Sequence, residues 1–380
     1  MTRGFRRRAF LHTAAMGATS LLGPGWARAQ EVVTLGLVLP PTSPMATALE
    51  QGATLGLDEA NALATMFGRR LRLVTETAAD AGTATAAARA LVTAGAIAIA
   101  GGAGRGVAEA LRDVAASGST LFLNVAATDE TLRHERCDRH AFHLAPSVTM
   151  LVDSLGQWLA ARQLRRWALA ADGTAAEIET AARRAAGRYG AAVVGPDEAA
   201  DVRVLALDEA GLPEALARAR GAGQVVAGVG GGVASSLGLR EAVGIWAVAW
   251  HHELERFSAR ELNRRFRRRF GTPLDQVSWA AWAAVKLAGE GVVRAQATSP
   301  PGLLAFLESA PPFDGHKGTA LTFRAWDHQL RQPLYVVAPR KGQAIGGGRG
   351  PFEIVGETPA AGVDALGTGA SESRCRQATR

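Results

Sequence analysis

The sequence is poor in the residues and motifs that mark catalysis. It contains only two cysteines and two tyrosines among 380 residues, and aromatic residues make up 6%. It has no Gly-x-Ser-x-Gly elbow and no Gly-x-x-x-x-Gly-Lys-Ser/Thr loop, which argues against a hydrolase or a P-loop nucleotidase. It also lacks zinc-type Cys/His spacing, and His251 and Glu255, which would share a helix face, have no third ligand at a recognisable spacing. We therefore expect no metal, no cofactor and no enzyme activity.

The glycine-rich stretch Gly102-Ala103-Gly104-Arg105-Gly106 does not meet the dinucleotide fingerprint. That fingerprint requires Gly-x-Gly-x-x-Gly directly after the first strand, whereas these glycines follow the third predicted strand. The stretch is therefore not expected to bind a nucleotide, and it can equally form the rim of a pocket for another ligand.

Charge and hydropathy give no sign of a nucleic-acid or membrane partner in the body of the chain. The formal net charge is +7, but five arginines and no acids lie in residues 1–29, so the remainder carries only +2. A charge this small demands no nucleic-acid partner. Beyond residue 29, no uninterrupted apolar run reaches the roughly 18 residues of a membrane helix.

The first 29 residues resemble an export signal. Arg6-Arg7-Arg8 opens a basic segment, a weakly apolar stretch follows from Thr13 to Gly23, and Ala27-Arg28-Ala29 has the form of a cleavage site. The motif Arg-Arg-x-Phe-Leu-His resembles the twin-arginine signal of bacterial exported proteins, with an ordinary secretory signal or an uncleaved anchor as alternatives. We expect an exported chain that starts near Gln30.

Cys137 and Cys375 form an isolated pair in polar surroundings. In an oxidising compartment such a pair is a candidate disulfide, which would fasten the C-terminal tail to the body. Two free thiols that lie far apart are the alternative.

Strand-like and helix-like segments alternate along most of the chain. Residues 32–127 have the order βαβαβαβ, which is typical of a parallel sheet covered by helices, and a second α/β set spans 147–250. Residues 259–294 are predicted to be helical, and 318–342 to form a short hairpin and a returning strand. The segment 343–380 lacks periodicity and is expected to be loosely ordered. About 350 residues are too many for one core, so two domains are predicted.

The order of these segments resembles the type I periplasmic solute-binding proteins of ABC transporters, in the branch of the leucine/isoleucine/valine and amide binders. The resemblance extends over residues 31–342. The matching segments are VVTLGLVLP (32–40), GATLGLDEANA (52–62), AIAIAGGAGRGVAEALRDVA (96–115), LFLNVAATDETL (121–132), AFHLAPSVTMLVDSLGQWL (141–159), RRWALAAD (165–172) and GTALTFRAWDHQLRQPLYVVAPRKG (318–342).

A narrower resemblance concerns binding proteins associated with PQQ-dependent alcohol oxidation. It rests on ELNRRFRRRFG, SWAAWAAVKLAGEGV, LTFRAWDHQLRQPLYVV and the terminal Ser-Glu-Ser-Arg-Cys. Members of that subgroup carry one cysteine near the position of Cys137 and another at the C-terminus, so this resemblance also implies the disulfide.

The family resemblance implies a fold of two lobes, each a parallel sheet flanked by helices, joined by a three-strand hinge. It implies that lobe 1 comprises 31–145 and 250–325, and lobe 2 comprises 146–249 and 326–342, with the third crossing near Ala325-Trp326. It further implies a periplasmic monomer that captures a small solute between the lobes and passes it to ABC permease subunits in the inner membrane.

The first-lobe part of the implied site lies in two loops. In amino-acid binders of this family, the loop after the third strand offers a serine and backbone N–H groups to the ligand carboxylate. Here that loop contains Gly102, Gly104 and Arg105, so the serine is absent. The next loop ends in Ala127-Thr128, as the family's usually does. Arg105 would suit an anion or lie solvated on the rim, and Thr128 is a ligand contact, a helix N-cap or both.

The second lobe departs further from the family pattern. The family's pocket tyrosine would fall near Gly173 or Thr174, and the acid that holds a ligand ammonium would fall in Ala242-Val243-Gly244. Because a buried ammonium without a partner is costly, the ligand is not expected to be an α-amino acid. Further candidates end strands that should point at the cleft: Asp172, Asp208, Trp250 and His251.

Three functions compete at this point. The first is a transport receptor for a small solute, linked to alcohol oxidation. The second is a sensory or regulatory binding protein of the same fold, and the third is a scaffold whose degenerate pocket holds no free ligand.

Overall fold

The computed structural model describes residues 30–208, 210–229, 242–341, 350–360 and 362–375. The predicted leader, residues 1–29, lies outside these ranges. Two sheets organise the described chain, and each is covered by helices. This confirms the predicted two-lobed α/β architecture.

Lobe 1 is built on a five-stranded parallel sheet with the order β2-β1-β3-β4-β5. Its inner strands are almost wholly apolar and buried, as expected of a parallel sheet covered on both faces. The strands are β1 (Glu31–Leu39), β2 (Arg69–Thr77), β3 (Ala96–Gly101), β4 (Leu121–Asn124) and β5 (Ala141–His143).

The helices of lobe 1 come from two distant parts of the chain. The early ones are α1 (Pro44–Ala64), α2 (Ala81–Thr93) and α3 (Arg105–Ala115). Residues after the second crossing supply α7 (Ala259–Phe270), α8 (Gln276–Arg294) and α9 (Pro300–Glu308). Helices α1 and α8 pack so closely that a Cβ on Gly52 would stand 2.1 Å from the carbonyl oxygen of Ser278. Glycine is therefore required at that contact.

Lobe 2 is built on a seven-stranded mixed sheet with the order β15-β14-β10-β9-β8-β6-β7. The five strands from β10 to β7 are mutually parallel, whereas β14 pairs antiparallel with β10 and β15 pairs antiparallel with β14. The strands are β6 (Arg166–Ala171), β7 (Ala192–Val194), β8 (Val202–Ala206), β9 (Val226–Gly228), β10 (Ile245–Val248), β14 (Leu334–Pro339) and β15 (Phe352–Thr358). The helices are α4 (Val148–Ala161), α5 (Ala176–Arg188) and α6 (Leu212–Gly221).

The described chain passes between the lobes at three hinge segments. They are residues 144–147 before α4, residues 249–250 after β10, and residues 332–333 before β14. The third crossing lies later than the expected Ala325-Trp326. The reason is that β11 (Phe313–Asp314), β12 (Ala320–Phe323) and β13 (Leu330–Arg331) form a small sheet on lobe 1, where Gln329 bridges to His143.

A buried lysine links the three hinge segments. Lys317 is 1% exposed, and its ammonium donates hydrogen bonds to the carbonyl oxygen of Ala249 (2.5 Å), to Gln332 Oε1 (2.6 Å) and to the carbonyl oxygen of Pro333 (3.3 Å). The amide of Gln332 in turn donates to the carbonyl oxygen of Leu144 at 2.7 Å. Burial lowers the pKa of Lys317, and the charge of Glu357 opposes that shift.

The expectation of a loosely ordered C-terminal tail is wrong for its described part. Residues 352–358 form β15, which pairs with β14 across its whole length. Farther on, the N–H of Gly367 donates to the buried carboxylate of Asp153 in α4 at 2.8 Å. Pairing with a distant edge strand, rather than local periodicity, orders this segment. Residues 342–349 and 376–380 lie outside the described chain.

The tail ends in the disulfide between Cys137 and Cys375, which the structure forms over a sequence separation of 238 residues. Cys137 lies in lobe 1 between β4 and β5, whereas the tail leaves lobe 2 after β15. The disulfide therefore joins the lobes covalently, in addition to the three hinge segments. Among the described residues, no helix combines the length and apolar content that a membrane crossing requires.

Candidate functional site

The loop after β3 approaches the space between the lobes through glycine. Gly102 has φ +102° and Gly104 has φ +96°, conformations that other residues rarely adopt. A Cβ on Gly102 would also stand 2.9 Å from Asn124 Oδ1, whereas one on Gly104, the residue before α3, would meet open space. The loop thus brings the backbone of lobe 1 close to the carboxyl edge of its sheet and leaves Gly104 uncovered.

Arg105 is neither free nor merely solvated. Its Nε lies 2.6 Å from Asp129 Oδ1 on the same lobe, and its Nη2 lies 2.5 Å from Glu177 Oε1 on the other lobe. About half of the side chain is exposed (49%). We expected this guanidinium to be available to an anionic ligand. In the structure it already binds two carboxylates.

Glu177 crosses the cleft from lobe 2 and contacts lobe 1 twice. It lies in the first turn of α5, where a carboxylate is favoured. Besides the ion pair with Arg105, its Oε2 accepts a hydrogen bond of 3.2 Å from the N–H of Glu130. Sequence analysis did not identify this residue, although an acid at the start of a predicted helix was visible.

The loop after β4 is held mainly by its own polar groups. Asn124 donates to the carbonyl oxygen of Ala127 (2.8 Å) and accepts from its N–H (2.9 Å), so the backbone of Ala127 is already engaged. The carbonyl oxygen of Thr128 accepts from the N–H of Val148 at 2.9 Å, and its side chain is half-buried. The N-cap of the following 3₁₀ turn is Asp129 and not Thr128, so the N-cap interpretation of Thr128 is wrong by one residue.

Two charged side chains, the buried Arg133 and the partly buried Glu130, support this loop. Arg133 is 1% exposed and donates to Gln329 Oε1 (2.7 Å) and to the carbonyl oxygen of Ala145 (2.8 Å), which ties the loop to the first hinge segment. Burial raises the pKa of Glu130, but hydrogen bonds from His134 and Thr149 and the charge of Arg133 outweigh burial and lower it to about 2. Glu130 is therefore ionised at neutral pH and holds its own backbone N–H in place.

Asp172 and Asp208 follow neighbouring strands of lobe 2, and Thr174 links them. Asp172 Oδ1 accepts from the hydroxyl of Thr174 at 2.5 Å, and that hydroxyl oxygen accepts from the N–H of Asp208 at 3.2 Å. Both aspartates are exposed at the carboxyl edge of the sheet. The structure thus brings these two candidates together.

Trp250 and His251 are turned inward, contrary to expectation. Trp250 is 2% exposed, stacks on Trp279 at 5.8 Å and donates to Asn263 Oδ1 at 3.0 Å. His251 is 9% exposed and accepts from the N–H of Glu253 at 3.3 Å. Burial, together with the positive charges of His252 and Arg340, lowers the pKa of His251 to about 3. Trp250 ends the second hinge segment and packs on the helices of lobe 1, and His251 follows it.

A surface cavity of about 490 Å³ lies away from these loops, between α7, the segment after the second hinge crossing and the end of β14. None of the predicted ligand residues lines it. Its lining is His252, Glu253, Leu254, Glu255, Arg260, Asn263, Arg264, Arg267 and Arg340.

Comparison with known proteins identifies the family. The sequence profile of the family described as "Periplasmic binding protein" matches residues 32–201 and 196–344. The chain belongs to the periplasmic binding protein family. No curated protein matches it significantly.

Solved structures of other periplasmic binding proteins share the fold. A branched chain amino acid ABC transporter periplasmic ligand-binding protein from Burkholderia xenovorans is 20% identical, with a TM-score of 0.79 over 91% of this chain and 100% of that one. A leucine-, isoleucine-, valine-, threonine- and alanine-binding protein from Brucella ovis, in a closed conformation, is 16% identical, with a TM-score of 0.76 over 88% and 96%. A Streptococcus pneumoniae branched-chain amino acid transporter binding protein in complex with isoleucine is 16% identical, with a TM-score of 0.70 over 86% and 99%.

This periplasmic binding protein has no evident metal centre in the part of the chain that the structure describes. No group of three or more histidines, cysteines or acids there could hold an ion. What the described cleft offers is the polar contact between Arg105, Asp129 and the Glu130 N–H on lobe 1 and Glu177 on lobe 2.

Proposed function

We propose that this periplasmic binding protein captures a small organic solute between its lobes and delivers it to an ABC permease in the inner membrane. The observation that carries this proposal is the contact across the cleft, where Glu177 of lobe 2 reaches both Arg105 and the N–H of Glu130 on lobe 1. Two lobes joined by short hinge segments, with polar groups facing each other across the cleft, are suited to close around a ligand.

The ligand class that we propose is a small carboxylate without an α-ammonium group. Arg105 supports the carboxylate because its planar guanidinium pairs well with such a group. The absence of an ammonium is supported by Val243, which stands where the resembling binders keep an acid and whose carbonyl oxygen instead accepts from the indole N–H of Trp246 at 2.8 Å. Known relatives that bind amino acids are at most 20% identical in the comparisons above, so their ligands are not transferred.

The physiological link that we propose is to PQQ-dependent alcohol oxidation. It rests on the resemblance of ELNRRFRRRFG, SWAAWAAVKLAGEGV and the terminal Ser-Glu-Ser-Arg-Cys to binding proteins of that setting. Oxidation of primary alcohols through aldehydes ends in carboxylic acids, which is the ligand class that Arg105 favours.

A thermal-shift screen of the mature protein over alcohols, aldehydes, carboxylic acids, PQQ and amino acids tests this function. Because a ligand of the folded state raises the melting temperature by mass action, we expect at least one carboxylic acid to raise it. Leucine, valine and glutamate should leave it unchanged. A tight leucine complex would overturn the ligand argument.

A scaffold without a free ligand is the second candidate, because Glu177 already occupies Arg105. In that case no compound of the panel shifts the melting temperature, and the protein still folds normally.

We propose that the protein is exported by the twin-arginine route. This proposal is based on the motif that begins with Arg7-Arg8. Replacement of both by lysine should leave most of the protein inside the cell as the uncleaved precursor, measured by fractionation and N-terminal sequencing, whereas Arg3→Lys should be exported and start near Gln30. Normal export of the double variant would favour an ordinary secretory signal.

A further inference from the structure

The carboxylate of Glu177 is held by lobe 1 in the way that a bound ligand carboxylate would be. One oxygen lies 2.5 Å from Arg105 Nη2, and the other accepts from the N–H of Glu130 at 3.2 Å. Both donors belong to lobe 1, whereas Glu177 belongs to lobe 2. Its side chain is only 26% exposed, so the contact is partly shielded from water.

Arg105 is positioned for this contact by its own lobe. Asp129, which is 15% exposed, binds Nε at 2.6 Å and so fixes the plane of the guanidinium. Glu130 keeps its N–H in place because its carboxylate accepts from the N–H of Thr149 at 2.5 Å. The two donors that meet Glu177 are thus pre-arranged, and they do not depend on Glu177 itself.

A second carboxylate could not simply join this group. Arg105 already faces the negative charges of Asp129 and Glu177, and a third carboxylate beside one guanidinium would be repelled by both. A solute carboxylate can, however, replace that of Glu177, because it offers the same two acceptor oxygens to the same two donors.

We infer that Glu177 is an internal competitor that determines the specificity of the cleft. A solute carboxylate enters by displacing Glu177 from Arg105 and from the N–H of Glu130, and neutral solutes do not release it. This inference rests on the proposed function. Because a solute carboxylate must first displace Glu177 from lobe 1, the protein binds carboxylates more weakly than it would without Glu177.

The test compares Glu177→Gln with Glu179→Gln. Glu179 lies in the same first turn, but pairs with Arg183 of its own helix at 2.7 Å. The probes are acetate, glycolate, lactate and succinate, with binding measured by calorimetry on the mature protein. Because a partly exposed ion pair contributes up to about a factor of five in an equilibrium, Glu177→Gln should bind the best carboxylate roughly fivefold tighter. Glu179→Gln should bind it as the unchanged protein does, and Arg105→Gln should lose it.

Two results overturn the inference. The first is that Glu177→Gln binds carboxylates no tighter than the unchanged protein, which would make Glu177 a ligand contact or a simple latch. The second is that no carboxylate binds any variant while another solute of the screen does, in which case the proposed receptor function stands without the competitor. If no solute binds any variant, the receptor function fails as well.

Discussion

Loss of the disulfide between Cys137 and Cys375 should lower the free energy of unfolding by about 5 kcal/mol. The bond closes a loop with a sequence separation of 238 residues, and a cross-link of that span removes much of the conformational entropy of the unfolded chain. It also holds the end of the tail on lobe 1, so its loss should release first the segment that follows β15.

The measurement is urea unfolding of the oxidised protein, with and without reductant, beside the variant in which both cysteines are serine. Reductant should shift the midpoint of the oxidised protein to that of the double variant and leave the double variant unchanged. Mass spectrometry without reductant should find the two cysteines joined. Two alkylatable thiols in the mature protein would contradict this prediction.

Lys317→Met should cost about 3 kcal/mol, the second largest effect that we expect. Methionine has a side chain of similar length, but it removes the ammonium that lies 3.9 Å from the centre of the Trp279 ring, and it leaves the buried carbonyl oxygens of Ala249 and Pro333 without their donor. Each unsatisfied buried acceptor costs about 1–3 kcal/mol, which exceeds the gain from no longer burying an ammonium in this polar site.

Lys286→Met is the matched control for this substitution. Lys286 is the partly exposed lysine of α8 and lies 3.7 Å from Glu59, so its loss should change stability by less than about 1 kcal/mol. Both variants are compared by urea unfolding at neutral pH. Equal midpoints for the two would show that Lys317 does not hold the hinge segments together.

The strands and helices could be predicted because their signals are local. Short apolar segments alternate with segments of helical periodicity, and this alternation predicted both parallel sheets and their helices. The break between α7 and α8 was visible at Gly271-Thr272-Pro273. The strand β15 was missed because its order comes from pairing with β14 and not from its own composition. The third crossing was misplaced because Gln329 is held on lobe 1 by contacts with residues more than 180 positions earlier.

The places of the candidate residues in the fold could be predicted, but the contacts that they make could not. The glycines and Arg105 follow from the order of the strands, as do Asp172 and Asp208. The partner of Arg105 lies 72 residues away on the other lobe, and no local pattern reports such a contact. Trp250 was assigned to the cleft from its place at a strand end, but its stacking on Trp279 draws it into lobe 1.

The close packing of α1 on α8 sets the timing of folding during synthesis. Gly52 meets Ser278, so α1, which also packs on β1 and β2, lacks its α8 partner until more than 200 further residues have been made. At 5–20 residues per second, that delay is on the order of 10 to 45 s. During this time the surface of α1 that packs on α8 stays exposed, and strands β14 and β15 of lobe 2 have not yet been made. Each lobe therefore contains elements that are synthesised late, so neither lobe is complete until most of the chain has been made.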